Sequence, residues 1–150
     1  MRGSIWTPIA VATLVCGTLD ILYAVILTLM RGKEPAAMLR FVASGPFPPA
    51  INWGAAGSLL GLAVHFSLMA LMIGAFIYAA RNYPVVLDQP VASWLVFAFV
   101  TYVAINLIVV PLRFPAAWPP KPLSIGTQLF AHLFFVALPT MLIARRFQRA

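Results

Sequence analysis

The chain has 150 residues, 63% of them hydrophobic and only 9% charged, with a formal net charge of +7. Soluble domains run at about 45–50% apolar and about 25% charged residues, so this composition excludes a water-soluble globular protein, whose surface needs far more polar groups. The positive charge does not point to nucleic acid. Nearly all ten Lys and Arg flank or separate apolar runs, where such residues act as membrane anchors and topology signals.

Four apolar runs are each long enough to cross a bilayer, which takes about 20 helical residues at about 1.5 Å per residue. The first span is expected over residues 5–30, closed by Arg31, Gly32 and Lys33. It is too long for the apolar core of a signal peptide, at most about 15 residues. Bulky Val15 stands just before Cys16, where a lipoprotein signal wants a small residue. An uncleaved first helix is therefore expected. Cys16 is the single cysteine, so it forms no intramolecular disulfide and reads as a small core hydrophobe.

The first loop is long, and its 35–43 part reads as a short helix lying in or dipping into the interface. Met38, Leu39, Phe41 and Val42 there are too apolar for free solvent. The second span is expected over 53–80, without a single Lys, Arg, Asp or Glu and with His65 near its centre. Gly57 and Gly61 form a G-x-x-x-G ridge on which another helix can approach closely. The short connection 82–90 predicts that the second and third spans are antiparallel neighbours. The third span is expected over 91–113, with Pro111 distorting its last turn. A stiff, proline-rich loop follows, and the fourth span runs over 123–144 with a kink at Pro139. Most of the thirteen prolines fall in the first and third loops, on one membrane face, and Trp53 and Trp118 are expected there at headgroup depth.

The expected fold is thus all-α: one polytopic domain over 1–150, four membrane helices in a bundle. Orientation is evenly balanced. Arg2, Arg81, Arg145, Arg146 and Arg149 lie on one face, and Arg31, Lys33, Arg40, Arg113 and Lys121 on the other. The dense tail 145–149 favours cytoplasmic termini under the positive-inside rule; dual topology is the alternative. Aligning His65 with His132 matches Ala70 and Leu71 to Ala137 and Leu138, which suggests a parallel repeat of two helical hairpins.

Polar residues recur at mid-span: Asp20, His65, Asn106 and His132, one per helix. A charged Asp at a helix centre costs roughly 2.5–3.5 kcal/mol on insertion scales, and polar groups at that depth face the bundle interior and find partners. A single inward cluster of these four is expected. Helical spacing adds Cys16 and Tyr23 beside Asp20, Tyr102 beside Asn106, and Gln128 beside His132. The plain reading of the cluster is a structural clamp. Three functional readings stand beside it. Asp20 with two imidazoles, titrating near neutral pH, suits proton or cation handling in a small transporter-like protein. His65 and His132 on two helices suit axial ligation of haem b. Asp20, His65 and His132 are three ligands of a type that suits Zn or Fe. No catalytic constellation is recognisable: there is no marked nucleophile, phosphate loop or cysteine pair, so no enzymatic activity is expected. The expected partner is the lipid bilayer, with a homo-oligomer or a larger membrane complex as further options and no nucleic acid.

The motifs G-x-x-D-I-L-Y-A (17–24), L-R-F-V-A-S-G (39–45), G-L-A-V-H-F (61–66), N-L-I-V-V-P-L (106–112), and A-H-L-F with A-L-P (131–139) together resemble a group of small uncharacterised bacterial four-helix inner-membrane proteins. More distantly, they resemble the YagU-type proteins, which pair a His helix, a Pro-Leu helix end and a second His helix. The resemblance implies a bacterial inner membrane and four helices, and no activity or cofactor. The architecture is also similar to that of small multidrug resistance transporters, with four helices and an acid in the first. This chain departs from them in using Asp, in its two membrane histidines and in its longer first loop.

Overall fold

The computed structural model describes residues 4–149, so Arg2 of the charge balance lies outside the described residues. The chain is helical, with no strand among the described residues. Four helices are long and apolar enough to span a membrane: α1 (Trp6–Met30), α3 (Gly54–Asn82), α5 (Pro90–Arg113) and α6 (Pro122–Phe147). Two short helices sit between them, α2 (Pro35–Ser44) and α4 (Val85–Asp88). The punctuation follows from local chemistry. Pro35, Pro90 and Pro122 each occupy the first helical position, where the missing N–H has no intrahelical partner in any case. The turn after α1 uses Gly32 at φ 66°, a left-handed value that costs glycine little.

The expected 35–43 helix exists, and it is what the Gly57–Gly61 ridge receives. α2 lies against α3. A Cβ at Gly61 would overlap the Leu39 carbonyl, and one at Gly57 would overlap the Ala50 carbonyl. Between them Ser58 donates to the Ala36 carbonyl at 3.0 Å. The ridge therefore seats the first loop rather than another spanning helix. The third loop closes over the same face: Phe114 stacks on Phe41 with centroids 4.1 Å apart, and Arg113 Nε donates to the Gly45 carbonyl at 2.6 Å.

Neither α5 nor α6 is a uniform α-helix. Each widens into a π-helical stretch, Val103–Val109 in α5 and His132–Ala137 in α6. Each stretch ends two residues before a proline, Pro111 and Pro139 respectively. Proline has no N–H to give and its ring crowds the carbonyl four residues back; a wider turn relieves both problems and is the form that many helix irregularities take. The expected distortions are thus present, but spread over the preceding turns. The second and fourth spans differ at their histidines: α3 runs unbroken through His65 while α6 widens at His132.

Packing follows the order α3–α1–α6–α5. α1 contacts both α3 and α6, and α5 packs chiefly on α6. The core holds Ala12 and Cys16 of α1, Ile73 and Ile77 of α3, and Val136, Ala137 and Met141 of α6. The expectation that the second and third spans pack as neighbours needs correction. α3 and α5 lean apart despite their short connection, bridged by Phe76 on Phe97 at 4.6 Å between centroids. α4 occupies the connection and props them open.

Candidate functional site

Because α1 and α6 lie between α3 and α5, the mid-span polar residues cannot all meet. The expected single cluster of Asp20, His65, Asn106 and His132 is replaced by two groups in different seams. Among the described residues no hydrogen bond or ion pair joins them.

The first group lies between α1 and α3. His65 Nε2 donates to the Gly17 carbonyl at 3.0 Å, and its Nδ1 lies 3.9 Å from Asp20 Oδ2. The sequence allows this approach at Gly17, whose missing side chain leaves room for the Phe66 ring, one residue beyond His65. A carbonyl oxygen can only accept, so Nε2 carries a hydrogen. With Nε2 so committed, Nδ1 is the nitrogen left to face the Asp20 carboxyl. Both side chains are largely but not fully enclosed, at 11% exposure for His65 and 21% for Asp20. One turn before Gly17 on α1, the Thr13 hydroxyl is buried with no hydrogen-bond partner among the described residues.

The second group lies between α5 and α6. Thr101 Oγ1 donates to the Phe97 carbonyl at 2.8 Å and so accepts from His132 Nδ1 at 2.9 Å. His132 Nε2 is left to accept from Asn106 Nδ2 at 3.4 Å, whose second hydrogen points to the Tyr102 carbonyl at 3.3 Å. The four directions are mutually consistent with a neutral ring. Tyr102 meets that ring edge-on, with centroids 5.9 Å apart. Both ring nitrogens of His132 are met by side chains of α5.

A third seam, between α1 and α6, is made by residues whose roles differ from expectation. Cys16 Sγ lies 3.3 Å from Thr140 Oγ1 and 3.5 Å from the Val136 carbonyl, fully buried. Tyr23 does not join Asp20. It packs on Phe130 and Phe135 with centroids at 5.7 Å and 5.1 Å. Gln128 is half-buried and takes no part in either group. Sequence reasoning missed Thr101, Thr140 and Trp94, whose indole N–H reaches the Leu133 carbonyl at 2.7 Å. The available signal was Thr101 one residue before Tyr102, and Thr140 directly after Pro139.

Haem ligation by His65 and His132 needs a free nitrogen on each ring and one shared gap. Each ring nitrogen instead faces a protein polar atom at 2.9–3.9 Å, and the rings sit in different seams. These residues do not fit an axial pair. Nor do Asp20, His65 and His132 form a ligand set: among the described residues no three His, Cys, Asp or Glu side chains come together.

Fold and site together define a helical protein with four helices long and apolar enough to span a membrane, a carboxylate–imidazole pair in one seam and a hydrogen-bonded histidine in another. No protein-family model, curated protein or solved structure matches the chain.

Proposed function

We propose that the protein handles protons at the Asp20–His65 pair, in a small transporter-like role, and that the His132 group holds α5 to α6. The observation that carries this reading is the Nε2 hydrogen bond from His65 to the Gly17 carbonyl. It commits one imidazole hydrogen to the backbone and leaves a single mobile proton between Nδ1 and Asp20. With that proton the pair is neutral overall. Without it, a carboxylate stands uncompensated inside an apolar span, where charge is costly and functional groups concentrate. The partial exposure of both side chains supports proton exchange with a water-filled or substrate-filled space; His132 is buried, with both ring nitrogens met by α5 side chains. The resemblance to small bacterial inner-membrane proteins supports the bacterial inner membrane as location, and the dense basic tail 145–149 favours both termini in the cytoplasm.

The test is reconstitution into liposomes carrying an internal pH dye, with an imposed pH gradient or membrane potential. Wild type and Thr101→Val protein are expected to move protons, whereas Asp20→Asn and His65→Gln are not. Equal flux from Asp20→Asn and wild type would reject the assignment.

A further inference from the structure

The two halves of α5 are anchored very differently. In the first half Phe97, Ala98, Thr101 and Tyr102 are buried. There the Trp94 indole N–H reaches the Leu133 carbonyl at 2.7 Å, and Thr101 meets His132. In the second half, residues 103–113, no residue is buried, and the backbone makes little contact with any other span. The wider turns are not the reason, because the π-helical stretch of α6 still buries His132, Val136 and Ala137.

Among the described residues, three polar or ring contacts hold this second half to the rest of the chain. Asn106, within the π-helical turns, donates to His132 Nε2 at 3.4 Å, longer than the usual limit of about 3.2 Å. At the far end, Arg113 Nε donates to the Gly45 carbonyl at 2.6 Å, and Phe114 stacks on Phe41. Phe41 belongs to α2 and Gly45 follows it directly, and α2 is seated on α3. The end of α5 is thus tied to α3 only through the first loop. His132 meets both halves of α5, at Thr101 before the wide turns and at Asn106 within them. Such turns are places where helices bend and are frequent at functional sites.

We infer that residues 103–113 form a hinged arm, bending at the π-helical turns and latched to the first loop by Arg113 and Phe114, which opens the gap between α3 and α5 sideways to lipid. Release of the latch lets the arm swing out, which breaks the long Asn106–His132 bond while Thr101 keeps the imidazole in place. Ala104, at the base of the arm, already lines the cavity of about 620 Å³ between α3 and α5, so the swing extends that cavity toward the face of the first and third loops. The arm is about 16 Å long at about 1.5 Å per residue. A bend of about 20°, the threshold of a sharp kink, therefore moves its end by about 6 Å. Neither Asp20 nor His65 belongs to the arm or its latch, so the device is independent of proton handling.

Distances between spin labels in liposomes, read by double electron–electron resonance, test this. One pair is Leu59→Cys on α3 with Leu112→Cys on the arm. The reference pair is Leu59→Cys with Phe99→Cys on the anchored half. All three positions are exposed, and Cys16 stays in place because it is buried. Arg113→Gln combined with Phe114→Ala should lengthen the Leu59–Leu112 distance by about 6 Å, the swing of a sharp kink, and leave Leu59–Phe99 unchanged. Adding Pro111→Ala, which removes the cause of the wide turns, should cancel the shift. No shift in Leu59–Leu112, or equal shifts in both pairs, overturns the proposal. A shift that survives Pro111→Ala also overturns it, since the bend then lies elsewhere. So does a distance from protein labelled at Leu112 alone, because a second copy then covers this half of α5.

Discussion

His65 faces two groups of α1 at once, the Gly17 carbonyl at 3.0 Å and Asp20 Oδ2 at 3.9 Å. These lie three residues apart, less than one helical turn, so a single imidazole spans them only because Gly17 lets α3 come close. This relationship separates the two histidines of the chain. His65 has a carboxylate partner, and His132 is met by the neutral side chains of Thr101 and Asn106.

Filling Gly17 should disturb that relationship without touching a titrating group. Gly17→Ala would put a Cβ 2.5 Å from the Phe66 ring. The ring can shift, so the expected cost is at the low end of the roughly 1–3 kcal/mol seen for overpacked cores. Thermal unfolding in detergent gives the cost. A parallel loss of proton flux would mark His65 position as the sensitive quantity.

The α2 seat is less forgiving. At Gly61 the obstacle is the Leu39 backbone, which cannot swing aside. Gly61→Leu should therefore detach α2 from α3. Limited proteolysis in the first loop is the measurement: rapid cutting is expected in Gly61→Leu, slow cutting in wild type. Equal rates would show that the ridge does not hold the loop.

Thr101→Val removes the acceptor for His132 Nδ1 and keeps the shape. Interhelical hydrogen bonds in membranes average about 0.6 kcal/mol and reach about 1.7. A double-mutant cycle with His132→Phe should give a coupling energy in that range. A cycle pairing Thr101→Val with His65→Gln should give about zero, since distant sites add.

Cys16 is fully buried against Thr140 and Val136. A maleimide should leave it unmodified in folded protein and label it after denaturation in SDS. Fast labelling of the folded state would contradict the α1–α6 seam.

Pro139→Ala should destabilise, although alanine is the better helix former by about 3 kcal/mol in a soluble helix. Without proline the π-helical turn has less reason to persist. Reverting to α-geometry would rotate His132 relative to the C-terminal part of α6, away from Thr101 or at the expense of Thr140. A rise in unfolding temperature would argue that the wide turn is incidental.

Much of this architecture is legible in one dimension. Four apolar runs of sufficient length determine four spanning helices, because in hydrocarbon a backbone has few other ways to satisfy its N–H and C=O groups. Glycine and proline mark the ends, and the G-x-x-x-G ridge marks a close approach. The partner in that approach was decided in three dimensions: α2 of the first loop reaches Gly57 and Gly61 because chain connectivity leaves it beside α3. The grouping of polar residues was decided there too. Depth along a helix can be counted from the sequence, and it put Asp20, His65, Asn106 and His132 near one level. The order of helices around the bundle cannot be counted. With α1 and α6 between α3 and α5, one level becomes two seams, and an Asp–His pair and a neutral His clamp take the place of a single cluster.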